Sequence, residues 1–249
     1  MIILKSLQEI EKIRKACLIV ADVLEGIRGE VRPGVTTQAL DEFAERLIIA
    51  AGAKPAFKGY RGYPKTLCTS VNNEVIHGIP SKGAVLKQGD IISIDVGTIV
   101  DGFYGDAAIT LPVGTITPEA ERLIRVTEES LHRGIAQAQV GNRLHDISHA
   151  VQRHVESNGY SVVREFVGHG IGRSLHEDPQ LPNFGAAGQG PRLKPGMVLA
   201  IEPMVNVGGS ATIIQADNWT AVTADGSLSA HFEHTIAVMP DGPWILTKK

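Results

Sequence analysis

Apolar residues recur at helical spacing in the first stretch of the chain. Leu7, Ile10, Ile13, Cys17, Val20 and Leu24 share one face, and Ser6 with Glu9 makes the capping box that opens such a helix. Gly26 and Gly29 predict its end. A second amphipathic helix follows in "RPGVTTQALDEFAERLIIAAG", with Leu40, Phe43, Leu47 and Ile48 inward, Gly34 opening the unit and Gly52 stopping it. Strand-length apolar runs come next. Thr117 and Pro118, as N-cap and first helical residue, then open a third helix, and "GNRLHDISHAVQRHVESNG" gives a fourth between Gly141 and Gly159.

The chain therefore reads as helix, helix, strands, stated twice. A phrase within the strands also repeats: "LKQGDIISIDVG" at 86–97 and "LKPGMVLAIEPM" at 193–204, with Glu202 in the place of Asp95. Gly34 to Gly141, Gly52 to Gly159 and Asp95 to Glu202 are each separated by 107 positions. A shared offset for a glycine-bounded helix and a twelve-residue phrase implies an internal duplication. The expectation is one α+β domain over 1–249, built from halves of about 1–112 and 113–249.

Composition narrows the function classes. A net charge of −3 over 249 residues gives no electrostatic reason to expect a nucleic-acid substrate. The apolar runs are strand-length, and "MIILKSLQEI" turns polar at Lys5, unlike a signal peptide, so neither a membrane span nor export is expected. Two cysteines, Cys17 and Cys68, make no disulfide framework and fit a reduced, cytoplasmic setting.

An acid inside an apolar strand needs a partner, since an unpaired buried carboxylate costs several kcal/mol. If the halves face each other, Asp95 and Glu202 converge on one central site. Asp106 follows Asp95 in a hairpin turned at "VDGF", Glu233 lies in a late strand, and His169 stands in "GHG", where the glycines leave room for a metal and its substrate. Four carboxylates and one imidazole suit Mn, Fe(II), Co or Zn, and their charge balances two divalent ions. Five side chains for two ions require a bridging carboxylate and leave positions for a shared hydroxide, with the ions about 3.5–4 Å apart, as in two-metal hydrolases. Each residue alone also has a plainer reading. Asp106 could be a turn residue, Glu233 a solvated strand acid, His77 a loop histidine, His176 held structurally by Glu177 or Asp178, and Tyr60, Tyr63 and Trp219 core or rim aromatics. His132, His145, His149 and His154, on helices, are expected at the surface.

"SVNNEVIHGIP", "SIDVGTIVDGFYGDAAIT", "FVGHGIG", "IEPM" and "SAHFEHT", in this order and spacing, resemble the signature segments of type I methionine aminopeptidases. The resemblance covers nearly the whole chain, and the short form is similar to the bacterial or organellar subtype. It implies the pita-bread fold: two pseudo-symmetric α/β halves around a central antiparallel sheet that carries a dinuclear site. Asp95, Asp106, His169, Glu202 and Glu233 are then the ligands of two divalent ions, Asp106 and Glu233 bridging. His77 and His176 bind the scissile peptide and assist catalysis, Glu202 carries the proton, and Phe57, Tyr60, Tyr63, Cys68, His77, Leu175, His176 and Trp219 bind the substrate. Phe57 replaces a smaller residue of that pattern and Leu175 an aromatic one; both bear on pocket shape, as does Arg61 at the rim. The implied activity is removal of N-terminal methionine from peptides and nascent chains whose second residue is small, by a cytoplasmic monomer that meets the ribosome transiently. Two alternatives remain: a proline-specific peptidase of the same fold, known from longer chains, and a non-catalytic pita-bread binding module for protein or RNA, whose mark would be missing ligands.

Overall fold

The computed structural model describes residues 1–249. Four helices form where the caps sit: α1 (Leu7–Glu30), α2 (Thr37–Ala50), α3 (Pro118–Ala136) and α4 (Leu144–Ser157). Ser6 Oγ accepts the Glu9 amide while the Glu9 carboxylate accepts the Ser6 amide. Thr36 Oγ1 accepts the Ala39 amide to cap α2 and Thr117 Oγ1 the Ala120 amide to cap α3, each without a reciprocal carboxylate, and Pro118 lies in the first turn of α3. Helix α1 does not stop at its glycines but continues to Glu30. Gly26 is a packing residue instead: a Cβ there would lie 3.1 Å from the Leu47 side chain and 3.3 Å from Phe43, so its absence lets α2 lie close. Leu7, expected inward, is 59% exposed. His132 is exposed as expected, whereas His145, His149 and His154 are half-buried in the α3–α4 region, His154 Nε2 lying 3.1 Å from Glu129.

The main sheet has nine strands, all antiparallel neighbours. Its longest strands form the hairpin Ile91–Val100 and Phe103–Pro112, turned at Asp101 and Gly102 with φ of 51° and 77°. Positive φ at both positions is the type I′ turn that matches strand twist. Glu233–Met239 pairs with Phe103–Pro112, then come Val198–Ile201, Gly168–Gly170 and Glu177–Leu181. Leu67–Val71 and Lys54–Pro55 pair with the outer edge of Ile91–Val100. Helix α1 packs on one face of the hairpin, where Thr98 Oγ1 donates to Ala16 O at 2.9 Å. A Cβ on Gly105 would sit 2.5 Å from the Cys17 amide nitrogen, so only glycine permits this approach.

The same local bridge is built twice. Thr36 pairs with Val85 and Arg143 with Arg192, while the Gly34 amide donates to Leu86 O and the Gly141 amide to Leu193 O. Gly34 and Gly141 have φ of 89° and 93°, and Gly52 and Gly159 have 74° and 81°.

Candidate metal centre

Register brings the acids together. Asp95 and Glu233 both lie opposite Ala108, and Gly97 lies opposite Asp106. Alternation of side chains along a strand therefore puts Asp95, Asp106 and Glu233 on one face, away from α1. His234 pairs with Ile201, so Glu202 arrives beside Glu233 at the end of its strand. His169 pairs with Ala200 on the far side. The five residues expected from sequence converge on this face. Asp106, His169 and Glu233 bring ligand atoms within 4.8 Å of one another, and so do Glu202, His231 and Glu233.

The flanking glycines of His169 do not make room for an ion. A Cβ on Gly168 would lie 2.4 Å from Ala200 O, and one on Gly170 would lie 2.2 Å from Asp178 O. They allow the strands on either side to press against the histidine. His169 Nδ1 lies 3.0 Å from Gly170 O and donates to it, which leaves Nε2 with its lone pair facing Glu202 Oε1 at 3.3 Å. Two lone pairs at that distance call for a cation between them.

The remaining atoms point the same way. Asp95 Oδ1, Asp106 Oδ1 and Glu233 Oε1 are buried without a hydrogen-bond partner, Asp106 is 4% exposed and Glu233 2%, and no lysine or arginine pairs with any of them. Uncompensated carboxylates at this depth fit divalent cations, and an oxygen-rich set with one imidazole is the donor chemistry such ions take. Asp41 is a contrasting buried acid, satisfied by the amides of Thr66 and Leu67 at 2.9 Å each, and its role is structural.

Sequence reasoning missed His231. It is 2% exposed, its Nε2 has no partner, and it lies 4.0 Å from Glu202 Oε2. The "SAHFEHT" segment offers two histidines around Glu233, and alternation on a regular strand would have picked the one two positions away as facing the site.

A cavity of about 270 Å³ opens onto the carboxylates. Phe57, Tyr63, Cys68, Leu175 and Trp219 form its apolar part; Tyr60, Arg61, His77 and His176 stand toward the mouth. Phe57 fits because Gly97 is opposite: a Cβ on Gly97 would come 2.7 Å from the Phe57 ring. Tyr63 stays fixed by donating to Leu67 O at 2.9 Å or Gly78 O at 3.0 Å, and meets Trp219 edge-on at 5.1 Å. His176 Nδ1 lies 2.8 Å from Tyr60 Oη, and its ring is 4.3 Å from that of His169. His77, at φ 61°, stands edge-on to Phe166 and Trp219.

With no ion bound, burial pushes the Asp95 carboxyl up to about 7. Burial and mutual repulsion hold Asp106, Glu202 and Glu233 well above the ordinary carboxylate range. Burial pulls His169 and His231 down to about 3, and His77 and His234 to about 4. A raised carboxyl binds more protons folded than unfolded, so its stabilisation is lost as pH rises through its folded value. A depressed histidine destabilises the fold only below its unfolded value of 6.5. Above that pH the carboxyls act alone. The metal-free protein is therefore expected to lose thermal stability as pH rises from about 6.5 through the value of about 7 at Asp95, and divalent ions should restore it. Calorimetry with and without chelator checks this; a melting temperature that stays flat or rises over that range in chelator would contradict it.

Residues 11–240 match metallopeptidase family M24. The chain is 58% identical over 247 residues to the methionine aminopeptidase of Clostridium perfringens, with 99% of each covered. It resembles the crystal structure of the methionine aminopeptidase from Thermotoga maritima with a TM-score of 0.99 and 49% identity over the whole of both chains. The prolidase from Pyrococcus horikoshii shares the fold, with a TM-score of 0.80 at 23% identity over 99% of this chain and 64% of that one.

Proposed function

Because this chain belongs to metallopeptidase family M24, we propose that it removes the N-terminal methionine from peptides and nascent proteins whose second residue is small. The observation that carries this reading is an apolar cavity end set beside a carboxylate cluster. At about 270 Å³ the cavity falls below the ~300–1,000 Å³ of drug-sized ligand sites, which suits one side chain. Cys68 and the aromatic rings of Phe57, Tyr63 and Trp219 offer a thioether polarisable neighbours. The carboxylates attract the substrate's free amine, which confines cleavage to the first bond.

Asp95, Asp106, His169, Glu202 and Glu233 would hold two divalent ions of the Mn, Fe(II), Co or Zn kind. Glu233 belongs to both groups of converging ligand atoms, which supports its sharing between the ions, and Asp106, two residue pairs from Asp95 across the hairpin and on the same face, is assigned likewise. Such ions supply Lewis acidity and make water nucleophilic near neutral pH. Glu202, which arrives beside Glu233 at the end of its strand, takes a proton from the attacking water and delivers it to the leaving nitrogen. His176, oriented by Tyr60, and His77 donate to the scissile peptide. Crowding at the mouth, where Tyr60 stacks on His176 and His77 stands against Phe166 and Trp219, favours a small second residue.

The proline-specific alternative has only the shared fold behind it, and the binding-module alternative lacks its mark, since all five ligand residues are present. The repeated bridges and matching glycines support two duplicated halves. No helix is long and apolar enough to cross a membrane, and two buried free thiols suit a reducing compartment such as the cytoplasm; the monomeric state is part of the same proposal. A substrate that is a nascent chain is the ground for transient ribosome contact. Metal-loaded protein should release methionine from Met-Ala and Met-Gly peptides and leave Leu-initiated and X-Pro peptides nearly intact; faster cleavage of X-Pro than of Met-Ala would reassign it to the proline branch. Restoring activity to chelated protein with each ion in turn identifies the metals it uses.

A further inference from the structure

The loop from Ile171 to His176 joins the metal-site strand Gly168–Gly170 to Glu177–Leu181, and it carries His176 at its end. Such a loop would place an exposed histidine poorly unless something held it. Backbone bonds fix its start, where the Ile171 amide donates to Val198 O and the Tyr104 amide to Gly172 O; the part next to His176 is held by a buried ion pair that spans the chain. Glu177 Oε1 accepts the Arg173 amide at 2.8 Å and the Ser174 amide at 3.2 Å, folding the loop back on itself. Glu177 Oε2 lies 2.5 Å from Lys5 Nζ. The two side chains are 4% and 9% exposed.

Lys5 is itself fixed. Its Nζ donates to Ile3 O at 3.1 Å, and its amide donates to Gly196 O at 2.7 Å, in the "LKPGM" phrase that leads into Glu202. Two glycines make way for it. A Cβ on Gly172 would stand 2.4 Å from Lys5 Cε, and one on Gly196 would stand 2.6 Å from Lys5 O. A buried lysine costs stability unless its partner repays the desolvation, and here the partner's other oxygen is committed to the two loop amides. The lysine thus orients the carboxylate that shapes the loop.

We infer that Lys5 and Glu177 are positioning residues for His176: the pair sets the loop so that the imidazole meets both Tyr60 Oη and the substrate peptide. The inference rests on the role given to His176 above. Loss of Lys5 leaves a lone buried carboxylate, which turns toward water and releases the amides of Arg173 and Ser174. His176 then samples positions off its target, and misplacement of about 1 Å can cost up to about 10²-fold in rate.

The test is a coupling measurement on metal-loaded protein with a Met-Ala peptide. Lys5→Met should lower kcat on the order of tenfold, less than removal of His176 itself, with KM and metal content little changed. The double variant Lys5→Met/Glu177→Gln has no lone charge and should fold even if Lys5→Met does not. Its neutral amide can still accept from the Arg173 and Ser174 amides, more weakly than the native carboxylate, so a fall in kcat smaller than that of Lys5→Met is expected. Both falls should vanish when the changes are made in a His176→Ala background. Wild-type kcat in whichever variant folds, a loss of bound metal, or falls that multiply with that of His176→Ala would each overturn the inference. If His176→Ala alone leaves kcat intact, the reading of His176 fails instead, and that result is told apart by this single variant.

Discussion

Replacing Asp106 with alanine should abolish activity and leave the protein unable to hold its metal complement. Asp106 sits with His169 and Glu233 in one group of converging ligand atoms and two residue pairs from Asp95 across the hairpin, on the same face, so one substitution strips a ligand from both assigned ions. Loss of a group that merely supports a ligand costs about 10–100-fold in metal affinity or activity. Loss of a shared ligand should exceed that by at least another order of magnitude. Glu233→Ala should behave the same way. Both variants carry a second signature with the opposite sign. Burial, Glu233 and Asp95 push the Asp106 carboxyl up in the metal-free protein, so removing it relieves repulsion, and metal-free Asp106→Ala should melt higher than metal-free wild type above about pH 6.5. Elemental analysis and calorimetry in chelator read the two effects. Two ions retained at full occupancy in Asp106→Ala would refute its sharing, and a lower metal-free melting temperature would refute the repulsion.

Two histidines seven positions apart should fail in different ways. His169 is buried, with Nδ1 committed to Gly170 O and Nε2 turned to Glu202, whereas His176 is exposed and tied to Tyr60. His169→Ala is expected to lose metal affinity and, with it, nearly all turnover. His176→Ala should keep its metals and lose mainly kcat, because it removes a donor whose hydrogen bond strengthens as charge develops on the peptide. Deletions of such donors cost about 10²-fold, or ~2.7 kcal/mol. Metal titration beside steady-state kinetics separates them: equal metal loss in the two variants would mean the ligand assignment is wrong.

How much of this was legible in the sequence depended on whether the signal was local. Caps at Ser6, Thr36 and Thr117 act within one turn, and they were readable. Asp95 and Asp106 were readable as a pair because a short turn fixes the register between them. The end of α1 was misread because Gly26 answers to Phe43 and Leu47 of another helix, and the glycines beside His169 because they answer to backbone of other strands. His231 and Lys5 escaped for the same reason. Each acquires its meaning only from partners brought in by the fold, Glu202 for one and Glu177 for the other. Strand order, which seats Glu233–Met239 between Phe103–Pro112 and Val198–Ile201, left no mark in the chain at all.

That strand order has a consequence for biosynthesis. The strand that fills the middle of the sheet and supplies Glu233 is synthesised long after its neighbour Phe103–Pro112. Until it docks, the hairpin must wait with one edge unpaired, and pairing so distant in sequence forms slowly. The ligand set assigned above is complete only once that strand has docked, so a copy without it would lack the ligand that belongs to both groups.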